Sequence, residues 1–148
     1  MFANLLNALL SPAAPRLTDM DARLALAALM VRIARTDHFY AAEEVERIER
    51  VLVQRYGLDP FAAADLRRAA EDLETAAPDT IRFTRALKDA MPLVDRAGLL
   101  QSLWSVALSD GSRDSDEDQM LRLIANLLGL SDVESGLARQ RAAADRAR

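Results

Sequence analysis

Hydrophobic residues recur every three or four positions along most of the chain, which is the spacing of a helix with one buried face. Ala, Leu, Arg and Glu are abundant, and runs of β-branched residues are absent. The pattern predicts an all-α fold, a single-domain helical bundle of about seven to eight helices. The predicted helices cover approximately residues 1–10, 19–35, 42–56, 60–75, 78–91, 95–108, 115–128 and 131–138.

Residues that commonly cap helices predict several of these boundaries. Gly57 and Gly129 each follow an apolar seam, at the position where a glycine ends a helix. Asp59 followed by Pro60 is an N-cap and first-position pair that opens the next helix. Two further starts have the spacing of a capping box, Ser115 with Asp118 and Ser131 with Glu134.

Two of the helices have apolar stripes that we expect to face the core. The stripe of the second helix consists of Leu24, Ala27, Ala28, Val31 and Ala34. The stripe of the sixth consists of Leu99, Leu100, Leu103, Val106 and Ala107. Trp104 lies among these leucines, so we expect it to pack in the core or between helices, with a role as a partner anchor as the alternative.

Length and composition bound the domain organisation. The chain has 148 residues, enough for one domain that buries a core without disulfides or a structural metal. We expect a short helix and a Pro-containing linker over residues 1–18, a helical domain over 19–138, and an Arg-rich, mobile tail over 139–148. No apolar run reaches the roughly 18 residues of a membrane span. We expect a cytoplasmic protein, and peripheral membrane contact through the first helix stays open.

Several chemistries are excluded by the scarcity of reactive side chains. The chain has no Cys and a single His, His38, so thiolate zinc sites, cysteine nucleophiles and His-based triads are not expected. Gly-rich phosphate loops and hydrolase motifs are also absent, and we therefore expect no enzyme activity. With a net charge of −4 and no basic aromatic surface, the chain is not expected to bind nucleic acid.

The chain contains an internal repeat. Residues 29–48 align with residues 102–121 at an offset of 73, which places Asp37 on Asp110 and Glu44 on Glu117. Each copy is a helix, an Asp-containing turn, and a second helix with Glu in its first turn. Two such duplicated hairpins usually pack about a pseudo-twofold axis, so we expect their acidic turns to occupy related positions.

This repeated pattern, an Asp followed seven residues later by a Glu, resembles the TerB-like tellurite-resistance family. The second copy carries it as Ala107-Leu108-Ser109-Asp110-Gly111 with Glu117, and the first has His38 where the family has Gly. The resemblance covers residues 20–130 and implies an all-helical, non-enzymatic protein of bacterial tellurite or stress resistance. Such proteins are similar to the helical domain of a membrane-anchored DnaJ-like co-chaperone.

The resemblance also implies metal binding at the acidic turns, with Asp37, Glu44, Asp110 and Glu117 as the matching residues. Asp114 lies in the same loop and is a further candidate. Carboxylates without Cys or His favour Ca²⁺, Mg²⁺ or Mn²⁺ over Zn²⁺ or Cu²⁺. The loop is not an EF-hand, because the positions that require Gly and a bidentate Glu hold Ser115 and Leu121.

Two alternatives remain open for these acids and for the function. Acidic residues in the first turn of a helix stabilise it through the helix dipole, and this alone explains Asp116, Glu117 and Asp118. The chain would then be a protein-interaction scaffold or a co-chaperone-like helical domain with no metal site. In either case we expect a protein partner or a homodimer.

Overall fold

A computed structural model describes residues 19–36, 40–76, 84–85, 87–89, 91–108 and 115–146 of the chain. These residues form an all-α fold, as predicted, and contain no strand. The six bounded helices are α1 (Asp19–Ala34), α2 (Ala42–Tyr56), α3 (Pro60–Ala76), α4 (Leu93–Ala107), α5 (Ser115–Leu127) and α6 (Asp132–Arg146). The predicted helix at residues 1–10 lies outside the described residues.

Helix α1 is the centre of the bundle. The pattern predicts one buried stripe on this helix, but every residue from Leu24 to Val31 is buried, whichever face it lies on. The reason is composition, since the segment is an almost unbroken run of Leu, Ala, Met and Val that has no polar face to present to water. α1 contacts α2, α3, α4 and α5, which together surround it.

The predicted capping residues act as expected at the α2–α3 junction. Gly57 has a φ of 64°, and its N–H donates to the Val53 carbonyl over 2.9 Å, ending α2. The Asp59 carboxylate accepts the Ala62 N–H over 2.8 Å and caps α3. One glycine and one carboxylate therefore make the turn between these two helices.

The α5–α6 junction is built in the same way. Gly129 has a φ of 81°, and the Gly129 and Leu130 N–H groups donate to the carbonyls of Asn126 and Ala125. This is a Schellman motif, which satisfies the last carbonyls of α5. Ser131 and Glu134 then form the reciprocal capping box that the sequence predicts, with bonds of 3.1 and 3.0 Å.

These matching junctions extend the repeat from two helices to three. α1 packs mainly against α3, and α4 packs mainly against α6. The first unit consists of α1, α2 and α3, and the second of α4, α5 and α6. Between the units, α1 contacts its equivalent α4, and the contact of α2 with α4 is matched by the contact of α5 with α1. Each three-helix unit thus meets the other through the same set of helices, as a pseudo-twofold arrangement requires.

The repeat also organises the core. At the sequence offset of 73, buried residues of α1 coincide with buried residues of α4, and the same holds for α2 and α5. The coinciding buried pairs include Leu26 and Leu99, Met30 and Leu103, Val31 and Trp104, Ile33 and Val106, Ile48 and Leu121, and Val51 and Ile124. The expected packing of Trp104 is confirmed, because only 6% of it is exposed.

The C-terminal segment differs from the expectation of a mobile tail from residue 139. α6 continues to Arg146, and Ala138 and Ala142 are buried one turn apart against the core. The Arg139 guanidinium lies over the Trp104 ring, with 5.5 Å between Cζ and the ring centroid. Alanine spacing rather than arginine content therefore determines the structure of this segment.

Part of the predicted helix over 78–91 is described. Residues 84–85 and 87–89 are helical, and Thr84 and Leu87 are buried. Arg96 at the start of α4 holds this segment, because its guanidinium donates to the carbonyls of Lys88, Met91 and Leu128 over 3.0 to 3.1 Å. One side chain thus ties the segment that follows α3 to the end of α5.

Candidate cation-binding turns

The predicted metal ligands divide into two groups. Glu44 and Glu117 lie in described helices. Asp37, Asp110 and Asp114 lie outside the described residues, so their placement as ligands stays a prediction. His38 lies outside them as well.

Glu44 is the third residue of α2 and is 1% exposed. Its Oε1 accepts the backbone N–H of Ala41 over 3.1 Å. Ala41 has no side-chain oxygen to return the bond, so only the glutamate half of a capping box is present. The bond occupies one acceptor site of a carboxylate that has about four.

Glu117 occupies the equivalent position in the second repeat. It is the third residue of α5 and is 3% exposed. In both repeats the preceding acid is exposed, since Glu43 and Asp116 lie on the outer side of their helices. A nearly buried carboxylate is uncommon unless it is hydrogen-bonded, paired or bound to a metal. Glu44 and Glu117, the second acid of each pair, thus share this uncommon property.

Described residues near the two acidic segments are in contact. Thr36, the residue before Asp37, has its Oγ1 3.6 Å from the Sδ of Met120. Met120 is three residues after Glu117 in α5 and thus lies about one turn along the same side of that helix. The end of α1 consequently touches the helix that carries the second buried glutamate.

The described carboxylates do not form a metal site by themselves. No group of three or more His, Cys, Asp or Glu side chains within the described part of the chain is placed to hold an ion. Ca²⁺ takes six to eight oxygen ligands, and Mg²⁺ is bound by one or two carboxylates together with waters. Glu44 and Glu117 suit these hard cations in donor type, and a site would need ligands from the two turns.

Exposed apolar side chains bear on the alternative of an interaction scaffold. Trp104, the partner anchor considered above, is buried and does not serve in that role. Large hydrophobic side chains are exposed on several helices, namely Phe61, Leu93, Val94, Leu123, Val133 and Leu137. Val133 and Leu137 lie one turn apart on α6, 73% and 43% exposed.

A cationic cleft that the sequence pattern did not predict lies between α2, α4 and α6. Arg47, Arg50 and Arg55 line its α2 wall. Arg47 and Arg50 are three residues apart and therefore lie on the same side of α2, a signal that is visible in the sequence. The helices that face them across the cleft could be identified only from the structure.

One of three comparisons with known proteins identifies a family for this chain. No described helix is long and apolar enough to cross a membrane. Comparison with curated proteins and with solved structures gives no match. The family model described as "Tellurite resistance protein TerB" matches residues 23–140, which include all of α2 to α5, most of α1 and more than half of α6. Since the match extends over more than three quarters of its length, the chain belongs to the TerB family.

Proposed function

We propose that this TerB-family chain is a non-enzymatic module of bacterial tellurite or stress resistance that binds a divalent cation at its two acidic turns. The observation that carries the proposal is the burial of Glu44 and Glu117 at equivalent positions of the repeat. Buried carboxylates are hydrogen-bonded, paired with a cationic group or bound to a metal ion, and a cation shared with the neighbouring acids is the partner proposed here. Glu44 and Glu117, with Asp37, Asp110 and Asp114, would hold the ion.

The chemistry of these ligands defines the cation. All five are carboxylates, so Ca²⁺, Mg²⁺ and Mn²⁺ are the expected ions. A bound cation would reduce the repulsion between acids that are close in sequence, four of which precede Gln119 within six residues. The segment between α1 and α2 and the segment between α4 and α5 would then become more rigid, and a partner protein could recognise the ordered surface.

The proposal of a non-enzymatic role is supported by the residues that are available. The single His and the absence of Cys leave few groups that could act as a nucleophile or a base near neutral pH.

Thermal unfolding and calorimetric titration with Ca²⁺, Mg²⁺ and Mn²⁺ test this proposal. A ligand that binds only the folded state at 100 times its Kd raises the free energy of unfolding by about 2.7 kcal/mol. We expect a cation-dependent rise in Tm for the wild-type protein and its loss in Asp110→Asn/Glu117→Gln. The comparison uses the shift caused by the cation, so a lower Tm of the variant does not affect it.

A matched control separates ligand loss from a change in net charge. Glu46→Gln/Asp72→Asn removes two exposed acids outside the turns, and this variant should keep the full cation shift. The absence of stabilisation at millimolar cation, or an equal shift in the acidic-turn variant, would refute the proposal.

The second candidate function is a protein-interaction scaffold, and exposure of Val133 and Leu137 on α6 favours it. A homodimer through this face can be tested by light scattering on the chromatographically separated protein. We expect a concentration-dependent dimer that Val133→Ser/Leu137→Ser converts to a monomer. A monomer at all concentrations would exclude self-association through α6.

A further inference from the structure

A cleft with a volume of about 760 Å³ lies between α2, α4 and α6. This volume lies within the range of roughly 300–1,000 Å³ that is typical of small-molecule sites. α4 contributes one face to the cleft, with residues spaced three and four apart. The lining residues on α4 are Gly98, Gln101, Ser102 and Ser105.

The cleft is positively charged although the protein is acidic overall. Three arginines and one aspartate line it, Arg47, Arg50, Arg55 and Asp145, so its formal charge is 3 − 1 = +2. The whole chain has a net charge of −4. Asp145 is engaged with α4, because its Oδ2 accepts a hydrogen bond from Gln101 over 2.8 Å. The cleft therefore attracts anions in a protein whose overall charge repels them.

Two of these arginines are not neutralised by the described part of the protein. Arg32, Arg35, Arg67 and Arg68 pair with carboxylates, whereas Arg50 and Arg55 form no ion pair with a described residue. Arg55 reaches across the cleft, and its Nη1 is 3.5 Å from the Oγ of Ser102. Arg50 also lines the cleft and is exposed.

The other repeat shows that the fold does not require a polar surface here. At the offset of 73, the residues that line the α2 wall correspond to an apolar face of α5, namely Met120, Leu123, Ile124, Leu127 and Leu128. On the facing helix, Gly98 and Ser102 correspond to Ala25 and Leu29, both fully buried. Arg50 and Arg55 thus occupy positions where the second unit has leucines, and Gly98 occupies a position where the first unit has an alanine.

We propose that this cleft binds a small organic phosphate, a phosphate monoester whose charge is held by Arg50 and Arg55. A phosphate monoester carries about −1.5 to −2 at pH 7, which matches the two positive charges of Arg50 and Arg55 better than a single carboxylate does. Guanidinium groups donate paired N–H groups to phosphate oxygens. Gln101, Ser102 and Ser105 line the opposite wall and offer hydrogen bonds to the hydroxyl groups of the ester.

The volume favours an ester over a bare oxyanion. A cleft of about 760 Å³ is much larger than one phosphate ion requires, and Val51 and Ala142 add apolar surface to its lining. Soluble phosphate esters and the phosphate headgroup of a membrane lipid share the recognised chemistry. The experiment therefore includes both sources.

Calorimetric titration with glycerol 3-phosphate and ribose 5-phosphate tests the proposal directly. Glycerol, ribose and inorganic phosphate serve as comparison ligands, and vesicles of phosphatidylcholine with or without phosphatidic acid form the lipid arm. We expect 1:1 binding of an ester, weaker binding of inorganic phosphate and none of the neutral compounds. Binding only to vesicles that contain phosphatidic acid would support the same chemistry with a lipid as its source.

Two variants locate the binding in the cleft. Arg50→Gln/Arg55→Gln removes the charged donors, and we expect a loss of affinity of about tenfold or more. Gly98→Leu fills the cleft from α4, because the nearest atom to an added Cβ is Arg55 Nη1 at 3.9 Å. Leucine is also a better helix former than glycine, so this variant should fold and yet bind about tenfold more weakly or not at all.

Arg68→Gln/Arg85→Gln is the control for charge, since both arginines are exposed and neither lines the cleft. It should bind the ester as the wild-type protein does. The proposal is overturned if no ester or phosphatidic acid vesicle binds at millimolar phosphate. It is also overturned if the two cleft variants bind like the control, or if inorganic phosphate binds as tightly as the esters.

Discussion

Thr36, two residues beyond the end of α1, contacts Met120 in α5, with 3.6 Å between Oγ1 and Sδ. The Thr36 hydroxyl also donates a hydrogen bond to the Arg32 carbonyl in the last turn of α1, over 2.9 Å. Thr36 is therefore held by the first repeat and contacts the second. Asp37 follows Thr36, and Glu117 precedes Met120 by less than one turn. The contact thus brings the flanks of the two acidic turns together and supports the proposal that they act jointly.

The glycines that end α2 and α5 should be sensitive to substitution. Gly57 and Gly129 have φ values of 64° and 81°, which are costly for a residue with a Cβ. We expect Gly57→Ala and Gly129→Ala each to lower the free energy of unfolding by about 1 kcal/mol, measured by urea denaturation. Gly136→Ala is the control, because Gly136 lies inside α6 with no atom within 4 Å of an added Cβ. It should raise stability by about 0.5–1 kcal/mol, and a loss there would contradict the argument.

Much of the fold could be predicted from the sequence, because local chemistry determines where helices begin and end. Gly57, Asp59 and the Ser131–Glu134 pair act within a few residues of their own positions, so their roles are visible without tertiary information. The burial of α1 on all faces could not be predicted in this way. It depends on which helices surround α1, and a pattern along one helix does not contain that information.

For the candidate sites, too, local sequence features could be predicted and the arrangement of distant helices could not. The offset of 73 gave the equivalence of Glu44 and Glu117, and the structure added that both are buried. The sequence repeat did not reveal that each repeated unit includes a third helix. α3 and α6 share little sequence beyond the Gly-Leu pair that precedes each of them, Gly57-Leu58 and Gly129-Leu130. The cleft was missed since its walls come from three helices that are distant along the chain.

Glu74 should contribute more to stability than an exposed ion-pair residue. Its carboxylate accepts hydrogen bonds from Arg32 over 3.2 Å and from Arg35 over 2.7 Å, which join α3 to α1. Since the Arg32 and Glu74 side chains are each only 14% exposed, we expect Glu74→Gln to cost about 1–2 kcal/mol in urea unfolding. The comparison is Asp65→Asn, which removes the partner of Arg68 in a pair that is 62% and 80% exposed. Equal effects of the two substitutions would show that burial gives the Glu74 pairs no advantage.

Tyr40 should ionise late in an alkaline titration. Burial, and then the neighbouring Glu71 carboxylate, raise the pKa of Tyr40 above the ordinary value of 10.0. The unfolded chain loses this proton first, so the contribution of Tyr40 to stability is complete below pH 10 and declines as the pH rises further. Absorbance of tyrosinate should show a component that ionises above pH 10 in the wild-type protein and is absent from Tyr40→Phe. A titration that Tyr40→Phe leaves unchanged above pH 10 would be inconsistent with this assignment.

Leu29 and Ser102 occupy equivalent positions of the repeat, and substitution by alanine should destabilise the protein strongly at Leu29 and hardly at all at Ser102. Leu29 is fully buried in α1, so Leu29→Ala should lower the free energy of unfolding by about 2–5 kcal/mol through lost burial and a cavity. Ser102 lines the cleft, and its Oγ donates only to the Gly98 carbonyl of its own helix, over 3.2 Å. Ser102→Ala should change stability by less than about 0.5 kcal/mol, since alanine has the higher helix propensity. Fluorescence of Trp104, the single tryptophan, follows both unfolding transitions. A large loss at Ser102 would mean that this wall is packed as a core, and a small loss at Leu29 would mean that α1 is not enclosed on that side.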